Sequence, residues 1–341
     1  MVAYYAHTHG KGHLNSAYLF CENIYENSLI ITGIKEIDES HFPIAQINDE
    51  DTTVDKYKSA LKNLPKYAHY LPKSNPKIVE RTKQILDIII ACDIKLALID
   101  VSVETAIIFR IASVPYGYHL LLGNRNDNPH KIAFDAADFL YSFIPVELAD
   151  SLPKKVINKT YFLGFHSQFK FTPKYCFLYE RPVLKNKEIV VVCGNGGTKV
   201  NANVVNKIID ELPKCEVKIL GNIENEQQIP TYNYIGFVDD IEHFLKKADV
   251  VISSCGLNLT SEILALKNKF VAVPEERPYN EQEIMCKALE KNNLAIRFNT
   301  DDIQGCIKKC LKLKPPKELK NWFVNDELLS AFKNKIEEYE K

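Results

Sequence analysis

Short apolar segments alternate with amphipathic segments along most of the chain, and this alternation constrains the fold more than any other feature. A polar, proline-containing stretch at 164–187 divides the pattern into two series. The apolar segments, with the turns that end some of them, occupy residues 2–6, 28–32, 96–100, 114–120 and 138–143, and then 188–197, 215–221, 248–256 and 269–274. Runs of this length between helical patterns are typical of parallel sheets covered by helices on both faces. We therefore predict an α/β fold with two Rossmann-like domains joined by a linker.

Composition excludes several classes of protein. A chain of 341 residues accommodates two domains, and its net charge of -1 gives no general reason to bind nucleic acid. No apolar run approaches the roughly 20 residues needed to span a bilayer, and no signal peptide precedes the first strand. The nine cysteines include no CxxC pair. We therefore expect a reduced, cytoplasmic environment.

Two glycine-containing turns in the second half follow predicted strands. Asn195, Gly196 and Gly197 lie between a strand and a helix, where glycines let the backbone approach a phosphate and the helix N-terminus supplies free N–H groups. A tight turn alone explains the same glycines. The second turn, ending at Gly256, opens a helix that carries Glu262. This carboxylate could bind paired hydroxyl groups, and it could equally be a solvated helix residue.

The first half offers candidates for acid–base chemistry at its own strand ends. The sequence AHTHGKGH (6–13) places three histidines and two glycines directly before a helix. This pattern fits a metal site, a phosphate-binding loop or a tight turn. Asp100 ends a buried strand and is a general-base candidate, although an N-cap role is open to it as well. Ser102 is the better candidate for that N-cap.

Two loops of the first half could contact a substrate or a surface. Arg125, Asp127 and His130 follow a predicted strand and are available to bind an acceptor, unless they only form a turn. The stretch 62–77 mixes lysines with tyrosines and leucines. Such a loop could rest on an anionic membrane, whereas a solvated surface loop explains it equally.

The stretch YIGFVDDIEHFLKKADVVISSCGLNLTSEILALKNKFVAVPEERPYNEQEIMCKALE resembles the donor-binding half of GT-B glycosyltransferases. It is most similar to family 28, which includes the N-acetylglucosaminyltransferase that forms lipid II. The resemblance covers about residues 188 to 300, and HGKGH matches the family's first glycine-rich loop. It implies a GT-B fold, in which two Rossmann-like domains face each other across a cleft and a C-terminal helix crosses back to the first domain.

The resemblance also assigns roles to individual residues. It implies that Phe237 and Val238 border the nucleobase and that Glu262 binds the ribose. The contacts to the diphosphate would come from Gly12, Gly196, Gly197 and the turn from Gly256 to Thr260, and those to the donor sugar from Gln282 and Glu283. The family usually has serine or threonine where this chain has Leu259, so Asn258 or Thr260 would substitute. Glu283 replaces a second glutamine, which could change the transferred sugar.

These residues together predict a metal-independent glycosyltransferase that uses a nucleotide sugar, with UDP as the expected nucleotide and no other cofactor. His13 would be the general base or support the leaving phosphate, with Asp100 as its competitor and a structural role for His13 left open. The acceptor would be a glycan, a lipid-linked sugar or a small molecule, with peripheral contact to the inner face of the membrane. A UDP-sugar hydrolase or 2-epimerase, and a non-catalytic nucleotide-sugar-binding subunit, are the alternatives.

The expected domain limits follow from the same reasoning. Residues 1–163 would form the acceptor-binding domain and residues 164–318 the donor-binding domain. The apolar face of 319–341, which includes Trp322 and Phe332, would pack back on the first domain as a single helix.

Overall fold

The computed structural model describes residues 1–8, 11–35, 37, 41–49, 65–169, 184, 186–194 and 199–340. Asn195, Gly196 and Gly197 of the predicted phosphate loop, and Lys62 and Leu64 of the predicted basic loop, lie outside these residues. No helix within the described ranges is both long enough and apolar enough to span a membrane.

A seven-stranded parallel sheet forms the first half of the molecule. Its strand order is β3-β2-β1-β4-β5-β6-β7. The order switches between β1 and β4: β2 and β3 are added on one side of β1, and β4 to β7 on the other. The strands are β1 (Val2–Ala6), β2 (Ser28–Thr32), β3 (Ile44–Gln46), β4 (Leu96–Ile99), β5 (Tyr116–His119), β6 (Phe139–Ser142) and β7 (Thr160–Phe162). Because all strands are parallel, their carboxyl ends lie along one edge, where open α/β sheets bind ligands.

Three helices of the first half begin at residues whose side chains cap them. The Asn75 side chain accepts from the N–H of Lys77, the Ser102 side chain from that of Thr105, and the Asp127 side chain from that of His130. The helices are α1 (Lys11–Asn23), α2 (Pro76–Ala91), α3 (Val103–Ile111), α4 (Asn128–Ala136) and α5 (Lys154–Ile157). Ser102 is thus the N-cap of α3, which leaves the side chain of Asp100 free for another role.

A second parallel sheet of six strands, in the order β10-β9-β8-β11-β12-β13, forms the other half. The strands are β8 (Glu188–Cys193), β9 (Glu216–Gly221), β10 (Tyr234–Gly236), β11 (Val250–Ser254), β12 (Lys269–Val273) and β13 (Ile296–Arg297). The helices are α6 (Ala202–Glu211), α7 (Ile241–Lys247), α8 (Leu257–Ala265), α9 (Glu281–Lys291), α10 (Ile303–Lys312) and α11 (Asp326–Glu337). The central strands β8, β11 and β12 are almost entirely buried apolar residues, as the sequence pattern predicts.

The C-terminal segment joins the two halves, but it is not one helix. Residues 319–322 form a short 3-10 helix, and α11 starts only at Asp326. Phe332 and Ile336 of α11 are fully buried against the first sheet, next to the rings of Phe139 and Tyr141. Trp322 lies before α11, in an apolar cluster that contains Leu148 of the first half as well as Leu264 of the second.

Candidate active site

Three polar side chains meet at the carboxyl edge of the first sheet, where β1, β4 and β5 end. The carboxylate of Asp100 is fully buried, with its Oδ2 2.6 Å from Nδ1 of His13 and its Oδ1 2.7 Å from Nδ1 of His119. A carboxylate only accepts hydrogen bonds, so each Nδ1 carries the proton. The Nε2 atom of His13 is left as the basic nitrogen, and the side chain is 22% exposed to the cleft.

The charges around this network are strongly coupled. Burial by itself would raise the pKa of Asp100, but His13 and His119 together hold that pKa well below its usual value. Burial likewise lowers the pKa of His13, yet the Asp100 carboxylate outweighs it and leaves the pKa of His13 raised. This arrangement suits a general base, because an ionised, oriented carboxylate stabilises the imidazolium that forms when His13 takes a proton.

Residues of the second half border His13. A side chain at Gly12 would lie 3.6 Å from the amide of Asn258, at the start of α8, and the Glu281 carboxylate at the start of α9 contributes to the raised pKa of His13. Gly12 and His13 belong to the first turn of α1 rather than to a preceding loop. The structure therefore places His13 on a helix that faces the first turns of α8 and α9 in the second half.

The predicted acceptor residues Arg125, Asp127 and His130 lie together beside this site. Asp127 Oδ2 is 2.7 Å from Nδ1 of His130, and its Oδ1 is 3.0 Å from Nε2 of His69. Arg125 Nη1 donates to Nε2 of His130 over 3.2 Å. Burial, together with Arg125, lowers the pKa of His130 to about 4. Their binding of an acceptor stays a prediction. An acceptor that bound there would meet side chains that are already hydrogen-bonded to one another.

The atoms of His69, Asp127 and His130 lie within 4.8 Å of one another, which is close enough to surround a metal ion. The environment argues against that role. Metal-bound histidines normally donate their second N–H to an acceptor, whereas Nε2 of His130 faces the guanidinium of Arg125, which can only donate. Asp127 also caps α4. The cluster is better explained as a network of hydrogen bonds.

Tyr279 connects this network to the second half of the molecule. Its hydroxyl is 3.3 Å from Nε2 of His69, its ring meets the ring of His130 edge-on at 4.8 Å, and the guanidinium of Arg125 lies 4.6 Å from its centre. Its carbonyl accepts from the N–H of Asn124. Tyr279 has a φ of 60°, which is uncommon for a residue other than glycine. Strain of this kind persists only where surrounding contacts hold it, and here those contacts cross the cleft.

A second part of the cleft lies between α1 and α8 and has a volume of about 280 Å³. Glu262 faces it, and Gln168 Nε2 donates to Glu262 Oε1 over 2.8 Å. Burial raises the pKa of Glu262 to about 7, although the bond from Gln168 opposes this shift. An amide that already donates to Glu262 marks the carboxylate as a place where hydroxyl donors would fit. The cavity walls also include Asn15, Glu22, Phe143 and His166.

The turn at the start of α8 distinguishes between the two substitutes predicted for Leu259. Asn258 is exposed at the turn, but Thr260 is fully buried and its hydroxyl has no hydrogen-bond partner among the described residues. Asn258 is thus the more accessible of the two substitutes, and the contact of Thr260 with a diphosphate stays a prediction. Beyond β10, Phe237 is 69% exposed while Val238 packs into the second sheet's cluster. A flat exposed ring at a strand end is suitable for stacking on a base.

The first turn of α9 also differs from the expectation. Glu283 accepts two hydrogen bonds from Arg297, at 2.9 and 3.0 Å, and pairs with Lys287, so its carboxylate is held at the β13 side. A contact of Glu283 with a donor sugar stays a prediction, and it would compete with these ion pairs. Glu281, which the sequence reasoning missed, faces His13 instead and pairs with Arg125. Glu281 and Glu283 are two positions apart on α9, so their side chains point in directions about 200° apart around the helix axis.

Gln282 has a positioning role at this point. It is 5% exposed, and its Oε1 accepts from the N–H of Cys255 and from the N–H of Glu275. A single amide thus joins the turns that follow β11 and β12.

Gln168, His119 and Tyr279 were also missed by the sequence reasoning. Of these, only His119 carried a signal, because it ends a buried strand next to the one that Asp100 ends.

Comparison with known proteins agrees with this arrangement. Residues 184–331 match the glycosyltransferase family 28 C-terminal domain. The chain is 29% identical over 165 residues to the UDP-N-acetylglucosamine--N-acetylmuramyl-(pentapeptide) pyrophosphoryl-undecaprenol N-acetylglucosamine transferase of Clostridium tetani, covering 45% of each chain. The same enzyme of Clostridium kluyveri is 28% identical over 165 residues, covering 46% of this chain and 44% of that one. The chain thus spans just under half the length of the curated relatives it matches.

Solved structures extend the likeness to the whole chain. MurG of Acinetobacter baumannii has a TM-score of 0.59 at 14% identity, over 98% of this chain and 94% of that one. UGT2 of Phytolacca americana, complexed with UDP-2fluoro-glucose and pterostilbene, has a TM-score of 0.66 at 12% identity, over 100% of both chains. The predicted GT-B fold is therefore confirmed, as is the resemblance of the second half to family 28.

Proposed function

We propose that this chain, with its GT-B fold and family 28 C-terminal half, transfers a sugar from a UDP-sugar to an acceptor hydroxyl group. The observation that carries the proposal is the hydrogen bond between His13 and the buried, ionised Asp100, at a position bordered by Asn258 and Glu281 of the other half. A base on one domain beside the ligand-facing turns of the other is the arrangement that group transfer requires.

The reaction would proceed with His13 Nε2 accepting the proton of the acceptor hydroxyl. The acceptor oxygen then forms the new glycosidic bond as the bond between the anomeric carbon and the diphosphate breaks. The nucleoside diphosphate leaves with that electron pair. Asp100 stays ionised and stabilises the protonated His13, and closure of the cleft excludes water.

The donor would occupy the turns of the second half. Glu262 would accept hydrogen bonds from the ribose hydroxyls in place of Gln168, and Phe237 would stack on the base. Asn258 and the N–H groups at the start of α8 would contact the diphosphate. Glu281 would meet the transferred sugar, with Gln282 holding the two turns in place. The relatives named as UDP-N-acetylglucosamine-dependent transferases support UDP as the nucleotide.

The acceptor would bind the first half, and a lipid-linked sugar is the class that we favour. A cavity of about 300 Å³ beside Arg125 is lined by apolar side chains that include Leu121, Phe134 and Leu152, with Lys131 at its wall. The name of the Clostridium relatives includes a pyrophosphoryl-undecaprenol acceptor. An apolar cavity with cationic residues would suit a lipid diphosphate of this general type.

Contact with a membrane is part of this proposal. Lys66, Tyr67 and Lys73 are exposed, and their loop is anchored to α3 because Glu104 accepts from the N–H groups of His69 and Tyr70. We expect sedimentation with anionic vesicles but not with zwitterionic ones. The double substitution Lys66→Glu with Lys73→Glu should abolish sedimentation, whereas Lys308→Glu on α10 should not. Equal binding of all three proteins would contradict the assignment of this loop.

The test of the function uses a panel of nucleotide sugars, with and without candidate acceptors. Free UDP that appears only with an acceptor indicates transfer. Release without acceptor indicates a hydrolase, a changed sugar without release indicates an epimerase, and binding without reaction indicates a binding subunit. Any of the last three results would overturn the proposal.

A further inference from the structure

The second histidine on Asp100 has no place in the reaction described above. His119 is the last residue of β5, and Asp100 follows the last residue of β4. Ile99 and Tyr118 are partners across the two strands, so the next residue on each is brought side by side. His119 is 4% exposed, and its ring is stacked on Tyr141 at 5.0 Å and meets the edge of Phe143 at 5.5 Å. The imidazole therefore has little freedom to rotate.

The other nitrogen of this imidazole makes no hydrogen bond. Nε2 of His119 is buried and has no partner among the described residues. An unpaired buried polar atom is unfavourable, so a histidine is not explained at this position by packing alone. The polar interaction that accounts for it is the 2.7 Å bond from Nδ1 to Asp100 Oδ1.

We propose that His119 is a positioning residue that acts through Asp100, fixing the carboxylate and limiting the basicity of His13. This inference rests on the proposed function for its consequence in turnover, although the coupling itself is a property of the folded protein. A carboxylate that accepts from one imidazole at each oxygen cannot rotate without breaking one of the two bonds. It also shares its negative charge between two donors, so it attracts the proton of His13 less strongly than it would with a single partner.

The balance matters because Asp100 already raises the pKa of His13. A base whose pKa rises further would be protonated at neutral pH and could not accept the proton of an acceptor. The other titratable or charged groups around the network are His7, Arg125 and Glu281 near His13, and Tyr4, Tyr118 and Tyr141 near Asp100. A substitution at His119 leaves these groups in place, although it also removes the electrostatic interaction of His119 with Glu281.

Two substitutions distinguish the effect of the Nδ1 hydrogen-bond donor of His119 from the effect of its aromatic ring. His119→Phe keeps an aromatic ring against Tyr141 but removes the hydrogen bond to Asp100. His119→Asn loses the ring but can place an amide N–H near the position of Nδ1. We expect His119→Phe to move the acidic limb of the kcat–pH profile upward by about one pH unit, and thus to lower turnover about tenfold below that limb. His119→Asn should keep the limb near its native position.

The titration of the His13 ring, followed by NMR without substrate, measures the same coupling independently of the function. A raised His13 pKa in His119→Phe, with a near-native value in His119→Asn, is the expected result. If native protein shows no transfer but the NMR shift appears, the proposed function fails and the positioning role stands. An unchanged His13 titration in His119→Phe, or a loss of turnover by the same factor at every pH, would overturn the inference.

A further variant covers the case in which His119→Phe does not fold. His119→Gln places its amide near the position of Nε2 rather than Nδ1, so it should raise the His13 pKa as His119→Phe does. A native His13 titration in a folded His119→Gln protein would equally overturn the inference. Thermal melting of each variant checks that the folded state is being compared.

Discussion

The strand ends of the two sheets carry polar groups in different ways. At the edge of the first sheet, the side chains are paired with each other: Asp100 binds His13 and His119, and Asp127 binds His69 and His130. At the edge of the second, Asn258 in the first turn of α8 and Phe237 after β10 are exposed. The paired edge suits the proton transfer that we propose, whereas the exposed groups of the second edge are accessible to a ligand.

The difference is reflected in the similarity to other proteins. The family match covers residues 184–331, whereas the first half is similar to known proteins in fold. Under the proposed function, the second half would bind the nucleotide sugar and the first half would bind the acceptor. We therefore expect substitutions at the edge of the first sheet to lower kcat and substitutions at the edge of the second sheet to weaken UDP binding.

The largest effect is expected at the paired edge of the first sheet. His13→Ala and Asp100→Asn should each lower kcat by about 100-fold or more, because the base or its orienting carboxylate is lost. UDP affinity, measured by calorimetry, should change little because the donor lies on the other half. Weakened UDP binding with unchanged kcat would remove the assignment of this edge to catalysis.

The next effect is expected at Glu262 on the ligand-facing edge. Charge-assisted hydrogen bonds to the ribose contribute about 1.5–3 kcal/mol, so Glu262→Ala should weaken UDP binding roughly tenfold to a hundredfold. Glu283→Ala is the matched control, since Arg297 holds that carboxylate away from the cleft.

Deoxynucleotides make this comparison specific. The 2′-deoxy and 3′-deoxy nucleotides should bind the native protein weakly and lose little more in Glu262→Ala, because the same contact is missing in both cases. If they bind the native protein as tightly as UDP does, Glu262 is not a ribose ligand.

A smaller effect is expected from pH at the same residue. Burial raises the pKa of Glu262 to about 7, so the carboxylate is mostly ionised above that pH and mostly protonated below it. The ionised form accepts bonds from both ribose hydroxyls, and we expect the affinity for UDP-glucose to fall about fivefold from about pH 8 to about pH 6. Glu262→Gln should remove this dependence, and a dependence that persists in that variant would assign it to another group.

The smallest effect is expected where the two edges meet, at Tyr279. Its cation–π contact with Arg125 contributes about 0.5–1 kcal/mol, so Tyr279→Ala should raise KM about twofold to fivefold as closure becomes less favourable. Tyr279→Phe removes only the hydroxyl contact with His69 and should have less effect. A fall in kcat as large as that of His13→Ala would instead place Tyr279 in the reaction.

The fold could be predicted from the sequence because buried parallel strands appear as continuous apolar runs such as IVVV at 189–192. The association of His13 with Asp100 was only partly predictable. Each residue could be placed near a strand end, but their 2.6 Å contact depends on how α1 is oriented relative to the carboxyl edge of the sheet. The sequence reasoning therefore treated them as competitors for one role, whereas the structure places them in one hydrogen-bonded pair.

The errors have a common physical origin. Glu281 and Glu283 are both polar residues in one helical turn, and only the rotation of α9 decides which of them faces the cleft. Thr260 and Asn258 differ in the same way at α8. Side-chain partners from distant segments, such as Gln168 for Glu262 and Tyr279 for His130, leave no periodic signal in the sequence.

The path of the C-terminal helix has a consequence for synthesis of the protein. Phe332 and Ile336 complete the apolar core on which β1 and β6 pack, although both strands leave the ribosome long before α11 does. The apolar core of the first domain therefore stays incomplete, with the rings of Phe139 and Tyr141 uncovered, until the second domain has been translated. During that interval the nascent chain presents an apolar site to chaperones, and a premature stop codon before residue 332 would damage the half of the protein that was made first.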